Sequence, residues 1–152
     1  YEIAQCLVGS EMCIRDSVAE HPDAGATALR ESKYAWAGQL RAGGRKAEAV
    51  KLYKELASEV KTRQGAEAAY YVIESLFEGG DLDATEKAVF AFSEREPDSY
   101  WLAKAFILLG DVYVRKGDNF QARATYQSVA DGYTPADDGI VDEAKARIAK
   151  LN

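Results

Sequence analysis

Three glycines recur at almost constant spacing in this chain. Gly44, Gly80 and Gly117 lie 36 and 37 residues apart, and each stands between two stretches in which large apolar residues return every three or four positions. That period puts the apolar side chains on one stripe of a helix, whereas a strand would alternate them. Glycine accepts the left-handed conformation that closes a helix. The residue after Gly80 and after Gly117 is an aspartate, able to accept the free N–H groups that begin the next helix. The chain is therefore expected to be all-α, built from successive pairs of short antiparallel helices.

The clearest pair lies within residues 103–135. Phe106, Leu109 and Tyr113 fall at i, i+3 and i+7 with Gly110 beside them. After Lys116, Gly117 and Asp118 comes a second stripe, Ala122, Tyr126 and Val129, before Pro135. Gly110 is expected where the two backbones come closest, facing Ala122. Residues 66–81 align on 103–118 without a gap, and Ala37, Leu40, Gly44, Ala49, Tyr53 and Leu56 fall on Gly110, Tyr113, Gly117, Ala122, Tyr126 and Val129. The spacing predicts helices over about 27–42 and 46–61, then 66–78 and 83–95. The middle pair is the poorest copy, because Ile73 replaces the small residue while Thr85 and Val89 replace Ala122 and Tyr126. Its helices are expected to sit farther apart or to shift in register. Val141, Ala144, Ile148 and Leu151 mark one more helix, with Asp142, Glu143, Lys145, Arg147 and Lys150 turned to water. Its early acids and late bases suit the helix dipole.

The sequence Phe106, Leu109-Gly110, Tyr113, Ala122, Tyr126 and Pro135 resembles the tetratricopeptide repeat (TPR). It departs in having Phe for the family's Trp and Pro one place late. The resemblance implies an α-solenoid of helix pairs with a C-terminal capping helix: repeat 1 over 26–65, a degenerate repeat 2 over 66–102, repeat 3 over 103–136 and the cap over 137–152. The residues in excess of the family's period are expected in the joins 61–65 and 98–102, where a loop absorbs them. Three repeats and a cap suffice for a stack, since each pair buries its apolar face only against its neighbours.

The N-terminus is set apart. Residues 1–17 resemble translated adapter sequence and carry no periodicity that continues downstream, so they read as a non-native leader; a native helix is the alternative. Both cysteines, Cys6 and Cys13, lie there, so cysteine usage in the remainder offers no disulfide or thiolate site. Val18 to Ala24 matches Ser93 to Ser99 around His21-Pro22 and Glu96-Pro97. Residues 18–25 therefore read as the tail of an upstream repeat, with any targeting segment farther upstream. The net charge of −6 and the scattering of nineteen Lys and Arg among acids argue against nucleic acid, which needs a clustered basic surface. No apolar run is long enough to span a membrane.

Catalytic chemistry has little to stand on. His21 is the lone histidine and falls in a join. Asp137-Asp138-Gly139 fails as a calcium loop, because setting Gly139 at the sixth position leaves Thr134 first and Lys145 twelfth, where carboxylates are required. Asp138 suits a helix cap instead. The glycines at 43–44 and 79–80 lack a preceding strand and the Lys-Ser or Lys-Thr of a phosphate loop, and so read as turns. No enzyme activity, metal or cofactor is expected.

In the resembled family the first helix of each repeat lines a concave groove with its second, fifth, ninth, twelfth and thirteenth residues. The resemblance carries that role to Glu31, Tyr34, Gly38, Arg41 and Ala42; to Glu67, Tyr70, Glu74, Phe77 and Glu78; and to Lys104, Ile107, Asp111, Val114 and Arg115. Tyr34, Tyr70, Phe77 and Ile107 would be apolar footholds among acids; the alternative is an ordinary solvated face. The Lys and Asn with which some repeats grip a terminal carboxylate are absent from the fifth and ninth positions. The implied function is a non-catalytic protein-interaction scaffold for a neutral or basic peptide or helix with apolar anchors. The alternative is a structural subunit of a bacterial cell-envelope assembly that self-associates through repeat edges. Tyr100 to Leu108 is also similar to large repeat proteins of Bacteroidetes-type bacteria, which suggests the envelope or periplasm.

Overall fold

The spaced glycines close helices in the way their positions suggest. Gly44, Gly80 and Gly117 take φ of +79°, +83° and +81°, a region costly for any residue with a Cβ. Asp81 and Asp118 then cap the following helices, accepting the N–H groups of Ala84 and Gln121 at 3.0 Å. A computed structural model describes residues 22–152. The expected leader 1–17 and residues 18–21, His21 among the latter, lie outside the described residues. Within these the chain is all-helical: α1 (Pro22–Ala42), α2 (Lys46–Leu56), α3 (Arg63–Glu78), α4 (Leu82–Ser93), α5 (Ser99–Lys116), α6 (Asn119–Gly132) and α7 (Ile140–Lys150). They form two compact units, one ending at Leu56 and the other spanning Ala57–Asn152.

The first unit contains the α1–α2 hairpin. Ala37, Leu40, Ala49, Tyr53 and Leu56 are buried in it, the residues whose period marked them as a stripe. Lys33 and Glu55 bridge the two helices at 2.7 Å. Both helices depart from their expected bounds. Within the described residues α1 runs over Pro22–Ala42, so it takes in 22–26 as well as the expected 27–42. α2 stops at Leu56 instead of reaching residue 61, because Ala57–Lys61 turn away and Val60 enters the core of the second unit.

In the second unit the helices pack on those that precede them from α5 onward. α5 lies against both α3 and α4, and α7 lies against α6 and, along a shorter stretch, α5. The last turn of α5 is tied to the first two turns of α4: the Tyr113 hydroxyl donates to Glu86 at 2.9 Å, and Lys116 reaches Glu86 at 2.5 Å and Asp83 at 2.7 Å. α3 begins at Arg63, capped by Thr62, and α5 begins at Ser99, capped by Asp98. The excess residues are therefore taken up earlier than expected, in the joins 57–62 and 94–98, and the extra turn of α5 carries the buried Trp101.

The contact at Gly110 also differs from expectation. The nearest atoms to a side chain at this position belong to the Tyr126 ring rather than to Ala122, and a Cβ there would penetrate it. Glycine's missing side chain is thus the space one face of the ring occupies. The middle pair reaches a fit by the opposite assignment of sizes. Ile73 and Val89, at the positions of Gly110 and Tyr126, are both buried, so the bulk sits on the first helix and the smaller residue on the second. The backbones of α3 and α4 accordingly meet less closely along their lengths than those of α5 and α6.

Candidate partner-binding face

Residues three, four and seven apart on a helix share a face, so one side of α3 presents Glu67, Glu74 and Glu78 together with Phe77. α5 supplies Lys104, Asp111 and Arg115 beside it, and the two helices pack together. Two residues expected as apolar footholds there are not available to a partner. Tyr70 and Ile107 are 8% and 3% exposed and belong to the core, Tyr70 against the Trp101 ring of α5. Phe77 is half-buried, with the Arg115 guanidinium 3.9 Å from its ring centroid and donating to its carbonyl at 3.1 Å. That arrangement gives a carbonyl at the end of α3, which already accepts the Gly80 N–H at 3.0 Å, a second donor, and adds a cation–π contact. Tyr34 and Arg41 are half-buried on α1, in the other compact unit.

Beneath the face lies an aromatic cluster. The Trp101 ring stands 5.4 Å from Tyr70, 5.8 Å from Tyr71 and 5.1 Å from Tyr100, the last edge-on. The Tyr71 hydroxyl donates to Glu67 at 2.9 Å, which fixes that carboxylate on α3. Trp101 Nε1–H is buried with no acceptor among the described residues, at a cost of about 1–3 kcal/mol that the packing of its ring offsets.

At the other end of the face Asp111 is a hub. It accepts the Tyr126 hydroxyl at 2.5 Å and also the Arg147 guanidinium, and Arg147 donates to Glu143 at 3.2 Å. Lys104 reaches Glu143 at 3.4 Å. Glu143 and Arg147 therefore turn toward α5, not to water as the polar side of α7 suggested. Ile140 and Ala144 make the apolar half of the same docking. An i, i+4 acid–base pair flanking the small Ala144 was the available signal in the sequence. Asp138 caps α7 one residue early, accepting the Ile140 N–H at 3.2 Å, and also takes the Tyr133 hydroxyl at 2.5 Å.

This environment makes stability depend on alkaline pH. Burial, then the charges of Glu74, Glu143 and Asp111, push the Tyr70 phenol well above its ordinary value; burial and the hydrogen bond to Asp111 do the same for Tyr126. The native state thus keeps protons that the unfolded chain loses at about pH 10. The contribution is complete below that pH and is lost as pH rises toward the native values. The melting temperature should hold between about pH 8 and 9.5 and fall steeply above about 10. Thermal melts across that range check this, and a flat profile to about pH 11.5 would contradict it.

Among the described residues no group of three or more His, Cys, Asp or Glu could hold a metal ion, and no helix is long and apolar enough to cross a membrane. No protein-family model matches the chain, and no curated protein matches it.

Proposed function

We propose that this chain is part of a TPR-like α-solenoid and acts as a non-catalytic scaffold that binds a basic, amphipathic peptide or helix of another protein. The observation that carries the reading is the side-by-side placement of α3 and α5, with Glu67, Glu74 and Glu78 half-buried or exposed along one side of α3. The preference for a basic partner has a local precedent: Asp111, next along that face, already receives a guanidinium from α7. Tyr70 and Ile107 serve the core, which leaves the half-buried Phe77 on α3 and the exposed Val114 on α5 as apolar contacts.

The test is calorimetric titration of a synthetic leucine–lysine amphipathic helix and of its leucine–glutamate counterpart. The lysine peptide should bind and the glutamate peptide should not. Glu74→Lys with Glu78→Lys should weaken binding by about tenfold or more, since like charges across an interface cost as much as opposite charges favour it. Equal affinity for the wild type and this variant would remove the face from consideration. Asp111 is unsuited to the same test, because its loss would free Tyr126 and Arg147.

A second reading, a structural subunit that self-associates through an edge, is favoured by Phe120. This side chain is 83% exposed at the start of α6. Light scattering at high concentration separates the two, and a monomer disfavours assembly.

A further inference from the structure

Tyr70 is lost to the face as an apolar foothold but not as a hydroxyl. Its ring packs on Trp101 and meets Tyr71 edge-on, which leaves the residue 8% exposed. Four other phenols of the second unit, those of Tyr71, Tyr113, Tyr126 and Tyr133, each donate to a carboxylate. The Tyr70 hydroxyl bonds none of the described residues. Nor is it sealed in, since Trp101 Nε1 is the one described side-chain polar atom that is both buried and without a partner.

Carboxylates from three helices act on this hydroxyl: Glu74, one turn farther along α3, Asp111 on α5 and Glu143 on α7. Burial first, and after it these charges, keep the proton on the phenol. The cations of the same region are engaged elsewhere, Lys104 with Glu143 at 3.4 Å and Arg147 with Asp111 and Glu143. The hydroxyl thus presents an oxygen lone pair in a field of negative charge. An anion would be repelled there, and a neutral carbonyl would gain nothing from the acids. An ammonium has three donors and no acceptor, so it can donate to the phenol oxygen while the carboxylates attract it. The narrow approach also favours a compact charge on a flexible stem over the planar fork of a guanidinium.

We propose that the Tyr70 hydroxyl is the specificity-determining contact of the face, receiving the ε-ammonium of a partner lysine amid Glu74, Asp111 and Glu143. The inference rests on the reading of α3 and α5 as a binding face and adds to it a residue that tells lysine from arginine.

Calorimetric titration of the full chain with the leucine–lysine helix and with a leucine–arginine helix of the same length tests it. The wild type should prefer the lysine peptide. Tyr70→Phe removes the hydroxyl alone and should weaken binding of the lysine peptide about tenfold or more, the loss of a hydrogen bond to a charged group, and abolish the preference. The variant should melt at the wild-type temperature near neutral pH, because no hydrogen bond to a described residue is lost. In protein made with ring-labelled tyrosine, the Tyr70 resonances, identified by their loss in Tyr70→Phe, should shift when the lysine peptide is added. Equal binding of the lysine peptide by wild type and Tyr70→Phe, or unshifted Tyr70 resonances in the complex, would overturn the inference and leave the face standing. Equal affinity of the wild type for the two peptides would overturn the assignment to lysine. A wild type that binds neither peptide would remove the face and this contact with it.

Discussion

Gly110→Leu is expected to lower the melting temperature by about 6–12 °C, the equivalent of about 3 kcal/mol at the upper end of overpacking costs in a chain of this size. The reason is local and severe. Tyr126 is 1% exposed, its ring fills the space a Cβ at 110 would need, and its hydroxyl is bound to Asp111. The ring cannot step aside without breaking that bond. The middle helix pair suggests the rescue: Gly110→Ile combined with Tyr126→Val recreates the sizes found at Ile73 and Val89. The double variant should lose less stability than the sum of the two single ones. Thermal melts of all four proteins measure the coupling, and strict additivity would mean that these two positions do not meet.

Asp111→Ala should be nearly as damaging, at about 2–3 kcal/mol. It leaves a phenol and a guanidinium without their shared acceptor on the side where α7 docks. The side chains of Asp111 and Arg147 are 25% and 29% exposed, so water softens the loss below that of a fully buried pair. Asp111→Asn keeps an acceptor for Tyr126 and removes the charge seen by Arg147, and should cost about half as much. Urea melts followed by circular dichroism report both. A loss below about 0.5 kcal/mol for Asp111→Ala would show that α7 is held by Ile140 and Ala144 alone.

The sequence made some of this readable and hid the rest for definite reasons. Turn glycines followed by capping aspartates are a local device, and the α3–α4 and α5–α6 turns lie where Gly80-Asp81 and Gly117-Asp118 put them. The stripes around Leu40, Tyr53, Leu109 and Tyr126 are buried as their period requires. What periodicity could not give was the partner of each small residue: it marked Gly110 as a close approach but not that a ring, rather than Ala122, fills it. Nor could it show that Ile73 is compensated by Val89, since size compensation is a property of two positions sixteen residues apart. The site suffered most from this limit. Tyr70 and Ile107 occupy helix positions that face a groove in the resembled family, yet here neighbouring helices close over them. Glu143 and Arg147 read as a solvated surface because a charge pattern on one helix does not reveal that Lys104 and Asp111 await it on another. Trp101 stood outside every expected helix, so its place at the centre of the aromatic cluster was not visible.

The central claim is that the Tyr126 ring seated on Gly110 joins α5 to α6, and that α3 and α5 lie side by side. Nuclear Overhauser spectra address both halves. Strong cross-peaks from the Gly110 Hα protons to the Tyr126 ring, with ring-current-shifted Hα resonances, should appear together with cross-peaks between the Tyr70 and Trp101 rings, whose centroids are 5.4 Å apart. Gly110 resonances at unshifted positions with no contact to Tyr126, or Tyr70 and Trp101 without mutual cross-peaks, would contradict it.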